Sequence, residues 1–258
     1  MRIGFLITVR LKSTRLPKKA ILEIDGREII AWMIDRIKMC DLMDEIVLAT
    51  SIDPQDEPIC EIAKREGVKC FRGSKLDVLD RLYQAALAFD LDYIINITAD
   101  CPLVAYDFID NIIDTYEKTD ADLVTSFKLP HGFYSYGIKV SALKKVLEIK
   151  GDEDTEVWGK YFTETGLFKV VDISVPEEYQ RENYRLSLDY PDDYEFFKAV
   201  FRGMGNETYR KSSKEILEFL DNHPEIVKIN QYCEEIYKKR LEEQARLVLK
   251  YGFFQDIL

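Results

Sequence analysis

Short apolar runs alternate with longer amphipathic segments over the first half of the chain. The runs are rich in β-branched residues and are uncharged at their centres, which is typical of strands buried on both faces. The predicted strands are residues 3–9, 45–50, 68–71, 92–98 and 122–127. Apolar positions at helical spacing predict helices over residues 28–40, 58–66, 77–89 and 107–118. This alternation predicts an α/β fold with a mainly parallel central sheet.

The second half of the chain has a less regular pattern. Further strands are predicted over residues 133–140, 168–174 and 184–188, and helices over 142–149, 156–163 and 191–201. The tail from residue 234 to 251 predicts a charged amphipathic helix whose apolar stripe is Ile236, Tyr237, Leu241, Val248 and Leu249. It would pack on the domain or, alternatively, on a partner subunit. We therefore divide the chain into a main domain, 1–205, and a helical extension, 206–258.

The charge and composition of the chain exclude some classes of binding partner and of metal site. A formal net charge of −11 over 258 residues disfavours nucleic acid and anionic membranes as partners. The start of the chain has seven consecutive uncharged residues before Arg10, too few for a signal peptide or a membrane span. The five cysteines are widely spaced and odd in number, which favours reduced thiols in the cytoplasm over a disulfide framework or a zinc site. With two histidines, a multi-histidine metal site is excluded.

A basic segment directly follows the first predicted strand. Residues 10–19, RLKSTRLPKK, carry five positive charges, from Arg10, Lys12, Arg15, Lys18 and Lys19. In α/β sheets, ligands bind outside the carboxyl ends of the strands. The segment lacks the glycine patterns of dinucleotide-binding loops and P-loops, so its cationic side chains would bind phosphate directly. A solvated surface loop is the alternative interpretation.

Two acidic residues follow later strands. Asp100 ends the strand over 92–98, and Asp189 ends the run over 184–188. Both would face the crevice that the basic segment lines. Two carboxylates beside a polyphosphate are suited to Mg²⁺, which takes few protein oxygens and completes its shell with phosphate and water. Each aspartate has a simpler alternative role as a turn residue or a helix cap.

Several stretches in order resemble the cytidylyltransferases. They are RLKSTRLPKK, GREIIAWMIDRI, IVLATS, FRGSKLDVLDRL and INITADCPLV, which cover residues 1–130, and then RLSLDYPDDYEFF. The chain especially resembles the enzymes of spore-coat polysaccharide biosynthesis and is similar to CMP-3-deoxy-manno-octulosonate synthetases. The resemblance implies a glycosyltransferase-A-like, Rossmann-like nucleotidyltransferase fold that binds CTP and Mg²⁺.

The resemblance also assigns roles to individual residues. It places Arg10, Ser13, Arg15, Lys18 and Lys19 on the nucleotide-binding loop, with Arg15 and Lys19 at the triphosphate. It makes Asp100 and Asp189 the metal ligands, so that Arg15, Lys19 and Asp100 carry catalysis. It places Gly73, Ser74, Asp77 and Arg81 beside the base and ribose. For Asp77 a helix cap, and for Arg81 a surface position, remain open.

The chain departs from the family pattern where the second substrate is held. Tyr134 and Tyr136 stand at positions that are usually acidic, and Glu156 stands where a histidine is usual. The candidate acceptor contacts are His131, Tyr134, Tyr136, Glu156 and Trp158. For the aromatic residues, ordinary core packing is the alternative.

The function that the resemblance implies is transfer of CMP from CTP to a small polar acceptor, with release of pyrophosphate. The acceptor would be a sugar acid or a phosphorylated or phosphonate compound, and the enzyme a cytoplasmic homodimer in surface polysaccharide or related conjugate biosynthesis. A glycosyltransferase using a nucleotide sugar is disfavoured, because Cys101 and Pro102 follow Asp100 where D-x-D is usual. A nucleotidyltransferase for another nucleoside triphosphate and a non-catalytic nucleotide-binding module remain open.

Overall fold

A seven-stranded sheet forms the centre of the molecule. The computed structural model describes residues 1–205, 207–245 and 247–250. The strands of the sheet are β1 (Ile3–Thr8), β4 (Glu45–Ser51), β5 (Lys69–Gly73), β6 (Tyr93–Thr98), β7 (Leu123–Thr125), β8 (Tyr136–Lys139) and β9 (Val170–Asp172). A separate small hairpin pairs β2 (Glu23–Ile24) with β3 (Arg27–Glu28).

Ten α-helices connect and cover the strands in the part of the chain that the structure describes. They are α1 (Ile29–Ile37), α2 (Glu57–Arg65), α3 (Val78–Ala88), α4 (Ile109–Thr119), α5 (Val140–Ile149), α6 (Gly159–Thr163), α7 (Pro191–Met204), α8 (Ser213–Asn222), α9 (Pro224–Val227) and α10 (Cys233–Gln244).

The strand order places β1 in the parallel half of the sheet. The order is β5-β4-β1-β6-β8-β7-β9. Strands β5, β4, β1 and β6 run parallel, β8 runs antiparallel to both of its neighbours, and β7 pairs with β9 in parallel. The predicted α/β fold with a mainly parallel sheet is confirmed. Because β1 and β6 are paired, the segments after Thr8 and Thr98 leave the same edge of the sheet side by side.

Both faces of the sheet are covered, as the apolar strands predict. Along β1, Phe5 and Leu6 point to opposite faces, and both are fully buried. Phe5 belongs to a core with residues of α1, α4, α7 and α8, and Leu6 to a second core with residues of α3 and α5. This two-sided burial explains why the strand has no polar alternation. It also fixes the edge of the sheet on which the cleft forms.

The part of the chain after α7 packs on the same core as the sheet. Ile216, Leu217 and Leu220 of α8 are fully buried in the cluster that contains Phe5. The domain boundary near residue 205 stays a prediction. The strand predicted over residues 184–188 does not form within a sheet. Its only bridge among the described residues is an isolated one from Arg185 to His131.

The predicted tail helix is shorter than its apolar pattern indicates. Helix α10 ends at Gln244, and Leu249 lies beyond it in extended backbone that bridges to Lys150. Backbone hydrogen bonds from Gly151 to Val248 and from Lys250 to Ile149 hold this segment against the end of α5. Val248 and Leu249 therefore do not continue the helical stripe, and the predicted helix end at residue 251 lies outside the described residues.

The prediction that all five cysteines are free thiols is wrong for one pair. Cys60 on α2 and Cys70 on β5 form a disulfide, and their Cα atoms lie 5.5 Å apart. The tight connection through Gly67, at a φ of 69°, folds β5 back beside α2 and brings the two residues within bonding range. Cys40, Cys101 and Cys233 are free. Among the described residues, no helix is long and apolar enough to cross a membrane.

Candidate active site

The basic segment after β1 directs the Lys19 side chain toward a small cavity at the edge of the sheet. Lys18 adopts a left-handed conformation with a φ of 56°, and a short 3₁₀ turn over Lys19–Ile21 follows it. The backbone N–H of Ile21 donates to the carbonyl of Lys18 at 2.9 Å, which closes the turn. Lys18 is exposed, whereas the side chain of Lys19 is only 15% exposed. Two adjacent lysines therefore face different surroundings.

Lys19 joins the two predicted metal ligands. Its Nζ donates to Asp100 Oδ2 at 2.5 Å and to Asp189 Oδ1 at 2.8 Å. Burial alone would lower the pKa of Lys19, but the charges of Asp100 and Asp189 outweigh it and raise the pKa. The lysine is thus held as a cation, and both carboxylates face one point at the sheet edge.

Asp189 has a cation on each of its oxygens. Arg15 Nη2 donates to Oδ1 at 2.7 Å, and Arg185 Nη2 donates to Oδ2 at 2.8 Å. Burial would raise the pKa of Asp189, but the charges of Lys19, Arg15 and Arg185 lower it well below its usual range. The carboxylate is 2% exposed and stays ionised.

Local backbone contacts explain how two distant segments bring these aspartates together. The N–H of Leu188 donates to the carbonyl of Asp100 at 2.7 Å. Helix α7 then begins at Pro191, and the side chain of Asp193 accepts from the N–H groups of Asp189 and Tyr190 at 2.8 and 2.9 Å. Asp193 takes the capping role that the sequence left open for Asp189, so the Asp189 side chain can pair with Lys19, which lines the small cavity.

The carboxylate oxygens of Asp100 and Asp189 are suitable ligands for a small, hard cation that also binds a phosphate. Two carboxylates converge on a single positive group, here the Lys19 ammonium. No cluster of three or more histidine, cysteine or acidic side chains that could hold a metal occurs in the described part of the chain. A cation at Asp100 and Asp189 would therefore need other oxygen ligands, as Mg²⁺ obtains from phosphate and water.

A small cavity of about 100 Å³ lies between the basic segment and α3. Of the predicted nucleotide-binding residues, Arg10, Lys19 and Arg81 line it. Arg10 also donates to the carbonyl of Lys75 at 2.6 Å and to Glu156 at 3.0 Å, so it joins the β1 loop to two other segments. Arg15 sits on Asp189 beside the cavity, while Ser13 Oγ accepts from Leu16 N at 3.4 Å within its own loop.

Arg81 is the most unusual residue of this cavity. It is fully buried, which excludes the surface position left open above, and burial lowers its pKa to about 10. Its Nη1 donates to the carbonyl of Ser74 at 2.5 Å, but Nε and Nη2 have no partner among the described residues. Gly73 allows this close packing, because a Cβ there would lie 3.1 Å from Arg81 Cγ.

Asp77 acts as a helix cap. Its Oδ1 accepts from the N–H of Asp80 at 3.1 Å and from the Thr155 hydroxyl at 2.9 Å, and its carboxylate also pairs with Lys150. These contacts are made within the protein. A contact of Asp77 with a nucleotide stays a prediction.

A larger cavity of about 380 Å³ continues from the small one. The two cavities share Thr98, Asp100, Glu156 and Trp158. All five predicted acceptor contacts line the larger cavity, namely His131, Tyr134, Tyr136, Glu156 and Trp158. Asp100 thus stands where the two cavities meet.

Aromatic rings form much of the wall of the larger cavity. Tyr136 packs edge-on against Trp158, with ring centroids 5.0 Å apart, and Phe127 packs edge-on against Tyr134 at 5.6 Å. Trp158 is also a core residue, as its alternative interpretation predicts. Burial raises the pKa of Tyr134 and Tyr136, so both keep neutral hydroxyl groups.

Sequence reasoning missed several residues of the site. Tyr237 and Leu241 of α10 line the larger cavity, and Glu234 of the same helix accepts from His131 Nδ1 at 2.7 Å. Arg185 is buried against Asp189. The available signal was an arginine at the start of the run RLSLD, four residues before a predicted metal ligand. The tail residues carried no such signal beyond the apolar stripe.

Comparison with known proteins shows the family of the chain. A family model described as cytidylyltransferase matches residues 5–252. The chain belongs to the cytidylyltransferase family. An uncharacterised protein of Methanocaldococcus jannaschii is 31% identical to this cytidylyltransferase over 94% of the chain and 100% of the relative. The spore coat polysaccharide biosynthesis protein SpsF of Bacillus subtilis is 27% identical over 86% of this chain and 95% of its own length.

Solved structures give the same family and fold. A cytidylyltransferase from Leptospira borgpetersenii has a TM-score of 0.80 and 28% identity, covering 88% of this chain and 97% of its own. A CMP:2-keto-3-deoxy-manno-octonic acid synthetase solved with CTP has a TM-score of 0.62 and 14% identity, covering 80% and 100%. The second likeness supports the fold alone. The cytidylyltransferase therefore has the nucleotidyltransferase fold that its motifs imply.

Proposed function

We propose that this cytidylyltransferase transfers CMP from CTP to a small polar acceptor and releases pyrophosphate, in surface polysaccharide or related conjugate biosynthesis. The observation that carries the proposal is the convergence of Asp100 and Asp189 on Lys19, with Arg15 beside them. This group lies where the small cavity beside the basic segment meets the larger one, because Asp100 lines both.

The reaction balances without a covalent enzyme intermediate. An acceptor oxygen attacks the α-phosphorus, the new P–O bond forms, and the bond to the β-phosphate oxygen breaks with its electron pair leaving on pyrophosphate. A Mg²⁺ ion held by Asp100 and Asp189 would supply positive charge to the phosphate oxygens. Chemistry of this kind rests on positioning and electrostatics.

The basic segment carries positive side chains that can neutralise the negative charge of the leaving pyrophosphate. Arg15 and Lys19 both pair with Asp189. A triphosphate offers them stronger partners, and Arg15 can bind phosphate oxygens through two N–H groups at once. We assign Arg15 and Lys19 to the β- and γ-phosphates, where they would stabilise the charge on the departing pyrophosphate.

Arg81 favours binding of a nucleotide in the small cavity that it lines. Its two buried guanidinium nitrogens that have no partner among the described residues cost free energy. Acceptor atoms of a nucleotide bound between Arg10 and Arg81 would satisfy them. The base that the cleft selects is cytosine in our proposal, and this choice rests on the family.

The larger cavity is our candidate for the acceptor site. Its volume of about 380 Å³ lies in the range of small-molecule sites. A sugar-acid hydroxyl would have to lose a proton during attack, and Glu156 is a carboxylate that lines both cavities and is not one of the proposed metal ligands. A phosphate or phosphonate acceptor is already an anion and needs no base. Both acceptor classes remain in the proposal.

The test is Mg²⁺-dependent release of pyrophosphate. CTP, UTP, GTP and ATP are each supplied with sugar acids, sugar phosphates and small phosphonates. Release with CTP and one acceptor class supports the proposal and names the acceptor. Release with another nucleotide but not with CTP, or no CTP binding in calorimetry, would overturn it.

Assembly and location belong to the same proposal. The family resemblance supports a homodimer that acts in the cytoplasm. Light scattering on the purified protein tests the first point, since a dimer has twice the 30.2 kDa mass of one chain.

A further inference from the structure

Three acidic side chains surround the buried Arg185 guanidinium, together with His131, whose Nδ1 lies 3.1 Å from Nη1, and two tyrosine rings. The arginine side chain has no exposed area. Nε donates to Asp193 Oδ1 at 2.9 Å, Nη1 to Glu234 Oε2 at 2.9 Å, and Nη2 to Asp189 Oδ2 at 2.8 Å. Each of the three guanidinium nitrogens thus has its own carboxylate, and the planar fork of arginine fixes the directions of all three.

These three carboxylates come from different parts of the chain. Asp189 precedes α7, Asp193 lies in the first turn of α7, and Glu234 lies in the first turn of α10. Asn230 Nδ2 further ties the backbone carbonyl of Arg185, at 3.0 Å, to Asp193, at 2.9 Å. The arrangement therefore holds a helix of the C-terminal part of the chain against the segment that carries Asp189.

The two oxygens of Asp189 have separate tasks in this arrangement. Oδ2 points to buried Arg185 and Ser187, at 2.8 and 3.3 Å. Oδ1 points to Arg15 and Lys19 on the cleft side. With Oδ2 held, the carboxylate cannot rotate without breaking a buried, charged hydrogen bond.

We propose that Arg185 is a positioning residue that presents Asp189 Oδ1 to the cleft, and that Glu234 of α10 completes the fixation of Arg185. The inference rests on the proposed role of Asp189 as a metal ligand. It makes α10 part of the active-site machinery, although Glu234 itself lines neither cavity. Residues that orient a metal ligand commonly change metal affinity or activity by about 10- to 100-fold when replaced.

The test measures metal binding apart from turnover. Mn²⁺, as a spectroscopic substitute for Mg²⁺, is titrated into the protein without nucleotide or acceptor, so that CTP does not itself chelate the ion, and free Mn²⁺ is followed by electron paramagnetic resonance. The variants are Arg185→Lys, which keeps the charge but loses the fork, and Glu234→Gln, which keeps the shape but loses the charge. Glu235→Gln is the matched control, because Glu235 is the exposed neighbour of Glu234 on the same helix.

We expect the Mn²⁺ dissociation constant to rise about 10- to 100-fold in Arg185→Lys and about 3- to 10-fold in Glu234→Gln, with no change in Glu235→Gln. A purely structural role would lower the melting temperature but leave the dissociation constant of the folded variants equal to that of the control, which would overturn the inference. If Arg185→Lys does not fold, Glu234→Gln decides. Asp189→Asn separates the two claims, since unchanged Mn²⁺ binding in that variant would refute the metal role of Asp189 itself.

Discussion

Lys19 Nζ lies 2.8 Å from Asp189 Oδ1, although 170 residues separate them in the chain. The same nitrogen contacts Asp100 Oδ2 at 2.5 Å. Three distant segments therefore meet at Lys19, namely the loop after β1, the end of β6 and the start of α7.

Replacement of Asp100 tests the proposed metal site. Asp100→Asn keeps the size of the side chain but removes its charge, so we expect Mg²⁺-dependent turnover to fall more than about a hundredfold. Pyrophosphate release and the melting temperature are measured together. Asp114→Asn, on an exposed position of α4, is the control. Turnover near that of the unmodified protein would remove Asp100 from the site.

Replacement of Lys19 tests the triphosphate contact. Lys19→Met keeps the stem and removes the charge, and we expect the KM for CTP to rise about tenfold or more, with kcat also reduced. Steady-state kinetics over a range of CTP concentrations separates the two constants. Lys64→Met changes an exposed lysine of α2 and should leave both constants unchanged. If the two variants behave alike, the basic segment is only a solvated loop.

Arg81 should affect affinity more than stability. Its Nε and Nη2 are buried without partners among the described residues, so Arg81→Met removes a buried charge that the fold itself satisfies poorly. We expect CTP affinity to fall about tenfold or more while the melting temperature stays level or rises. Calorimetric CTP titration and thermal unfolding give the two values.

Arg36 provides the contrast for Arg81. It is also fully buried, and its Nη2 has no partner among the described residues, but its Nε donates to the Val104 carbonyl at 2.6 Å and its Nη1 to the carbonyls of Tyr209 and Lys211 at 3.1 and 2.6 Å. Arg36→Met should therefore lower the free energy of unfolding by about 2–4 kcal/mol, with little effect on CTP affinity of the folded protein. Equal loss of stability in both variants would contradict a ligand-binding role for Arg81.

Phe127 tests the acceptor cavity with little risk to the fold. It lines the larger cavity and is 52% exposed. We expect Phe127→Ala to raise the KM for the acceptor by about tenfold, through loss of one aromatic wall, and to leave the KM for CTP unchanged. Leu87→Ala, at a similarly exposed apolar position of α3, is the control. An unchanged acceptor KM would place the acceptor elsewhere.

Acid should weaken the contact between α10 and the rest of the protein. Burial would raise the pKa of Glu234, but the hydrogen bonds and charges of His131 and Arg185 lower it from 4.5 to about 2. A carboxylate with a lowered folded pKa stabilises the fold above its unfolded pKa and loses that contribution as the pH falls. The contribution is therefore present above about pH 4.5 and disappears toward pH 2.

Urea unfolding at pH 7, 4 and 3 checks this dependence. We expect Glu234→Gln to be less stable than the unmodified protein by roughly 2 kcal/mol at pH 7, and the difference to shrink at pH 4 and pH 3. A difference that stays constant over this range would mean that the charge of Glu234 does not stabilise the fold.

The first half of the fold could be predicted because local pattern and tertiary environment agree there. The strand over residues 3–9 is apolar because both faces are covered, and β1 occupies residues 3–8 of it. Asp100 and the basic segment were predicted to share the cleft because parallel strands end at the same edge. Their roles in catalysis remain predictions, and the structure adds that they lie in contact.

The remaining features depend on contacts that a local pattern does not contain. The apolar stripe continues through Val248 and Leu249 at helical spacing, but pairing with Lys150 draws those residues into extended backbone. The Cys60–Cys70 bond depends on how tightly β5 returns beside α2. Glu234 was indistinguishable from its charged neighbours in sequence, since its partners His131 and Arg185 are far away along the chain.

The position of α10 in the chain has a consequence for synthesis on the ribosome. The residues that line the small cavity all come at or before Trp158, whereas the larger cavity also needs residues of the C-terminal part, namely Tyr237, Leu241 and Ala245. Asp189, which pairs with Lys19, and helices α7 and α8, which cover one face of the sheet, are made between these two points. The larger cavity is therefore the last part of this region to gain all of its walls during synthesis.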